Sequence, residues 1–212
     1  MTPSLAAVHD ACVQRAAQFA AEVARIRASF ERASGAFTPD DPFYEERAAA
    51  LWDRVLTDPD VVARLAETEP PWIVQGLGRA QRGLYEARVE GEDLDLSCVL
   101  SGAMFRLSRA DSAHVSLRTG RELVPGERLD AFVVPTPEGV SLLPSVLAHP
   151  ASARTAMDAV IGASIGPPTA GHAIDRAERY ALLDLLLGMR HRLKTQGRMR
   201  PEVVYRVSAR GP

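Results

Sequence analysis

The stretch GLYEARVEGEDLDLSCVLSGAMFRLSR, residues 83–109, is where the periodicity of the chain changes. Tyr85, Ala87 and Val89 alternate with polar neighbours, and Leu94, Leu96 and Cys98 do the same. The turn-forming EGED and SG separate these runs. A two-residue repeat places apolar side chains on one face of an extended strand. GERLDAFVVPTPEGVSLLPSVLAHP, residues 126–150, repeats the pattern with TPEG as its turn. The expectation is about five short strands between residues 84 and 148, forming a small antiparallel barrel or curled sheet. Tyr85, Leu96 and Phe132 are expected in its core. Pro135 and Pro144 should sit at edges or strand ends, since proline cannot donate to a ladder.

Upstream the period is helical. Leu5, Val8, Cys12, Ala16, Phe19, Val23, Ile26 and Phe30 recur at steps of three and four, a single apolar stripe running to Gly35. One continuous helix of about seven turns is predicted, opened by Thr2-Pro3. Phe19, Val23, Ile26 and Phe30 must be buried against protein, either the chain's own core or a second copy. A second helix follows in residues 38–56, with Asp41 as its cap and Pro42 at its first position, and a third restarts at Asp58-Pro59. PPWIVQGLGRAQRG, residues 70–83, reads as a short helix loosened by Gly76 and Gly78.

Beyond the sheet, ASARTAMDAVIG (151–162) is helical, and a glycine- and proline-rich stretch at 162–171 breaks it. Residues 172–194 form a longer helix with Leu182, Leu185, Leu186, Met189 and Leu193 on one face. PEVVYRVSAR suggests a last strand at Val203–Val207. The fold class is α+β: a helical region (1–82), a small β domain (83–150) and a C-terminal helical region with a basic tail (151–212).

Composition limits the functional classes. With 46% apolar and 25% charged residues and a net charge of −2, the 212-residue chain is that of a globular protein without the bulk charge of a polyanion binder. Its basic residues are 24 arginines and one lysine, Lys194. No secretory leader or membrane span is read, so a cytoplasmic location is expected. Nothing favours a disulfide between Cys12 and Cys98.

Several motifs invite chemistry. Gly162-Ala163-Ser164-Ile165-Gly166 spells G-x-S-x-G, but a nucleophile elbow needs a strand before the serine and a helix after it. Here helix precedes and GPPTAG follows, so Ser164 is expected in an irregular, exposed joint, and a hydrolase reading ranks last. GLGRAQRG has Gln81 where a phosphate-binding loop needs its third glycine. His9, His114, His149, His172 and His191 show no zinc spacing; His9 and Cys12 share a helical face but lack further ligands. No catalytic residue, metal site, cofactor or small-molecule substrate is assigned. From Gly188 onward seven basic residues face Glu202 alone, a local +6. Arg190, Arg192, Lys194, Arg198 and Arg200 could meet phosphates, or dock on the acidic remainder of the chain or on a partner.

The order of DDPFYEER, a helical region, RGLYEARV with CVLSGAMFRL, then LVPGERLDAFVVP and LLPSVLAHP resembles a family of uncharacterised bacterial proteins. The resemblance spans about residues 25 to 160. It implies an amphipathic helical segment preceding a small β domain, and carries no activity. The function expected is a non-catalytic protein-interaction or assembly module acting through its amphipathic helices, with a protein partner or self-association. The alternative is a nucleic-acid-associated protein using the β domain and the basic tail.

Overall fold

A computed structural model describes residues 5–90, 93–107, 124, 126–165 and 174–206. The expected α+β class is observed: a curled antiparallel half-barrel sheet with helices at both ends.

Five helices come first: α1 (Leu5–Ala16), α2 (Ala20–Ser34), α3 (Tyr44–Leu56), α4 (Pro59–Leu65) and α5 (Pro71–Gly78). The predicted single N-terminal helix is therefore two. Residues 17–19 contain no glycine or proline; instead the Gln18 and Phe19 N–H groups donate to carbonyls only three residues back. The turn lets α1 pack on α3 and α4 while α2 packs on α3 and α7. Tertiary packing has overridden a continuous helical pattern. Gly35, at φ 90°, ends α2 as expected. Asp41 accepts the Phe43 N–H at 2.9 Å, so its cap acts ahead of a helix that begins at Tyr44. Asp58 caps α4 by accepting from Asp60 N–H, with Pro59 at the first position.

Among the described residues six strands follow: β1 (Gln81–Glu90), β2 (Asp93–Cys98), β3 (Met104–Leu107), β4 (Arg128–Thr136), β5 (Gly139–Leu142) and β6 (Leu147–His149). Their order is β3-β2-β1-β4-β5, with β6 also on β4, and β3 comes round to contact β5. β5 and β6 are one returning strand interrupted by a bulge: four residues, Leu143–Val146, oppose Ala131 and Phe132 of β4. Pro144 lies in that bulge, and Pro135 lies past the residues that β1 pairs. Gly76 is a packing glycine: a Cβ there would come within 2.7 Å of the Pro135 carbonyl oxygen.

The centre of the sheet, β4 above all, is buried on both faces. Tyr85, Leu96, Cys98, Leu107, Leu129 and Val133 fill the concave side. Phe132 pairs with Arg82 and belongs to the opposite face with Val134, against the N-terminal helices. The expectation that Phe132 shares a core with Tyr85 and Leu96 is thereby corrected. With Leu129–Val134 apolar almost throughout, alternation carries no information about which face is which.

The C-terminal part holds a 3₁₀ turn (Ala151–Ala153), α6 (Arg154–Ile165), α7 (Arg176–Thr195, capped by Asp175) and α8 (Pro201–Val204). The strand expected at Val203–Val207 is corrected: Pro201 opens a helical turn instead, and Tyr205 is buried behind it. Leu182, Leu183, Leu186 and Met189 of α7 join the cluster inside the sheet, whereas Tyr180 and Leu187 join the N-terminal cluster. Gly188 lets α7 approach α2, since a Cβ would lie 3.1 Å from the Ser34 carbonyl oxygen.

A buried ion network fills the seam between the sheet, α3 and α7. Arg82, on β1, is bidentate to Asp130 at 2.9 and 2.7 Å. Its remaining amino group donates to Asp184 of α7, whose second oxygen accepts from Arg54 of α3. Arg82, Asp130 and Asp184 are each no more than 2% exposed.

Candidate functional site

The bulge that interrupts the fifth strand also builds one wall of a cleft. Its backbone leaves the ladder at Leu143–Val146, so the Ser145 N–H is freed from strand pairing and needs another acceptor. Asp53 supplies it: this wholly buried carboxylate in α3 accepts from Ser145 N–H at 2.7 Å with one oxygen. With the other it meets His9 Nε2 of α1 at 2.8 Å. His9 Nδ1 lies 3.3 Å from Asp10. Three elements distant in sequence are thus tied at one point.

Burial alone would pull the His9 pKa down, but the hydrogen bond and charge of Asp53, with those of Asp10, outweigh it and raise it above the ordinary value. Carboxylates on both nitrogens therefore favour the imidazolium form of His9. That is the chemistry of an ion tie.

Above this floor opens a space of about 610 Å³ between α1, α3 and the bulge. Its charged lining is His9 with three carboxylates, Asp10, Glu45 and Glu46. Glu46 accepts from Arg190 at 2.6 Å and from Lys194 at 3.2 Å. Burial favours its neutral form, but these two cations prevail and hold the carboxyl below its usual range. Asp10 and Glu45 are exposed at the mouth. The apolar wall is Val13, Ala48 and Ala49 with the half-buried rings of Tyr44 and Trp52.

The structure distributes the residues singled out in the sequence. Phe19, Ile26 and Phe30 are buried and Val23 is half-buried in the chain's own N-terminal cluster. That stripe is covered by α3, α4 and α7 rather than offered to a partner, because the turn at residues 17–19 lets each half of it fold inward. Arg190 is also drawn in, 5% exposed, donating to the Ala148 carbonyl and Glu46. Lys194 pairs with the same Glu46 and lies 4.9 Å from the Phe43 ring centre. The docking of the tail on acidic parts of its own chain therefore holds for these two, while Arg192, Arg198 and Arg200 are exposed.

Ser164 is exposed but not irregular: α6 continues through it to Ile165, since helix geometry tolerates Gly162. A serine in the last turn of a helix lacks the strand-to-helix elbow that its motif requires. The glycines and prolines from Gly166 to Gly171 fall outside the described residues, as do His114 and His172. Cys12 and Cys98 are buried free thiols in separate clusters, and burial pushes the Cys12 pKa up to about 11. Among the described residues no group of three or more His, Cys, Asp or Glu could hold a metal ion. No helix among them is long and apolar enough to cross a membrane.

Sequence reasoning missed the pairing of His9 with Asp53. The available signal was Asp53 itself, an acid three residues from Ala50 and from Leu56 on the buried face of α3. A carboxylate there demands partners, but their identity depended on a bulge that no local pattern announces. Comparisons with family models, with curated proteins and with solved structures found no match to this chain.

Proposed function

We propose that this chain is a non-catalytic protein-interaction module that receives a basic, partly apolar segment of a partner protein in the cleft between α1, α3 and the β5–β6 bulge. One observation carries the reading: carboxylates at the mouth, Asp10 and Glu45, stand beside two half-buried rings, Tyr44 and Trp52, over an apolar wall. An arginine or lysine gains a charge-assisted hydrogen bond from the first and a cation–π contact from the second. Leucine- or alanine-sized neighbours match Val13, Ala48 and Ala49. The ion tie beneath fixes all three walls before a ligand arrives, which lowers the ordering cost of binding.

The test is titration of the full chain with a short peptide carrying two arginines flanked by leucines, followed by Trp fluorescence and calorimetry. Binding should weaken with salt, and Glu45→Arg should reduce affinity at least tenfold. Affinity equal in the wild type and Glu45→Arg would sink the reading. A second reading, nucleic-acid association, is favoured by the exposure of Arg192, Arg198 and Arg200 at and beyond the end of α7. Salt-sensitive retention on a DNA matrix, lost when these three become Gln, would support it.

A further inference from the structure

A second cleft, of about 520 Å³, opens between α2, the α3–α4 junction and the N-terminal half of α7. Four guanidinium groups line it: Arg25 and Arg32 from α2, Arg54 from α3 and Arg176 from α7. The acids in its wall are already committed. Asp184 accepts from both Arg54 and the buried Arg82. Asp58 accepts from Arg25 and from the Asp60 N–H, and Asp175 caps α7 through Ala177 N–H.

The cations are less fully used. A guanidinium carries five N–H donors and no acceptor. Arg54, only 12% exposed, donates to Asp184 and to Ser29 Oγ at 3.1 Å. Arg176 spends one amino group on the Thr57 carbonyl and the Tyr180 hydroxyl. Arg32 is exposed and makes no hydrogen bond or ion pair among the described residues. Tyr180 stiffens the floor, its ring 5.4 Å from Arg54 and 5.3 Å from Arg176. Burial, with the neighbouring charge of Arg82, lowers the Arg54 pKa to about 10.

We propose that this cleft binds a small polyanion, a ligand presenting phosphate or carboxylate groups to Arg32, Arg54 and Arg176. Planar guanidinium forks match both oxyanions in paired hydrogen bonds, which a hydrated chloride does not reproduce. The site is independent of the peptide cleft, with which it shares no lining residue.

The experiment titrates the full chain with inorganic pyrophosphate and, separately, with citrate, against sodium chloride of equal ionic strength. Saturable binding and a raised melting temperature are expected with at least one of them. The tighter of the two tells whether the natural ligand carries phosphate or carboxylate. Arg32→Gln breaks no hydrogen bond or ion pair among the described residues and should weaken binding at least fivefold. Combined with Arg176→Gln it should remove binding while circular dichroism stays native. The proposal is overturned if both anions act as chloride does, or if Arg32→Gln and the double variant bind as the wild type does.

Discussion

Removing the Asp184 carboxylate tests the seam of the molecule. Asp184 is 1% exposed and accepts from two guanidinium groups on different elements, Arg54 of α3 and Arg82 of β1. A hydrogen bond to a charged group contributes about 1.5–3 kcal/mol, so two amount to roughly 3–6 kcal/mol. The Asp184→Ala variant also leaves Arg54 without its carboxylate beside another cation, and breaking a buried pair in this way costs about 3–5 kcal/mol. Arg82 is cushioned because Asp130 still holds it twice. We therefore expect Asp184→Ala to lose about 3–5 kcal/mol. Asp184→Asn, which keeps one acceptor, should lose about half that. Urea unfolding reads the difference as a shift of midpoint at constant slope. Adding Arg54→Met to Asp184→Ala should recover part of the loss by removing the stranded charge. A loss below about 1 kcal/mol in Asp184→Ala, or no coupling with Arg54→Met, would refute the reasoning, because surface ion pairs behave that way.

Three further outcomes are expected. Gly76→Ala should cost about 1–3 kcal/mol in urea unfolding, since its methyl would meet the Pro135 carbonyl backbone of β4; a neutral result would mean that α5 can slide. Leu96→Ala, in the concave core and wholly buried, should cost roughly 2–5 kcal/mol by the same measurement. The histidines set opposite slopes of stability with pH. Burial, with Arg190 and Arg47 nearby, depresses the His191 pKa to about 4, so the unfolded chain binds its proton first. Stability then falls on acidification from about pH 6.5 to 5 by up to about 2 kcal/mol on account of His191. The buried His149, its pKa also depressed, adds to that limb, so His191→Gln should make it shallower. His9 has a raised pKa, so its contribution is complete below about pH 6.5 and fades as pH rises through the folded value. His9→Gln should abolish the fall on the alkaline side, as seen in melting temperatures across pH 6–8.

Much of the architecture was legible because periodicity reports burial on one face. α4 with its Asp58 cap, the strands of the β region and the curl of the sheet all follow from such patterns. Reading failed where both faces are buried. β4 is buried on both faces and the middle of α7 on nearly every side, so neither the side of Phe132 nor the contribution of Leu183 and Leu187 showed in a one-sided stripe. Local signals also misled at the N-terminus, where the turn at residues 17–19 has no glycine or proline to mark it. The candidate site was the least legible part. Asp53 and Ser145 are 92 residues apart, and their contact depends on backbone leaving a strand. Buried acids inside apolar stripes, Asp53 and Asp184, were the one signal available.

The two-sided burial of α7 bears on how the chain comes apart. Its side chains complete the cluster inside the sheet and the cluster under α1–α5 alike, and Asp184 joins it to β1 and α3. Neither half can lose α7 without exposing apolar surface in the other, so local opening should be confined to segments away from it. Amide hydrogens of Leu183–Met189 should exchange only through global unfolding, at the same free energy as those in β1 and β4. A chain cut between α6 and α7 should yield two fragments that fold only when mixed.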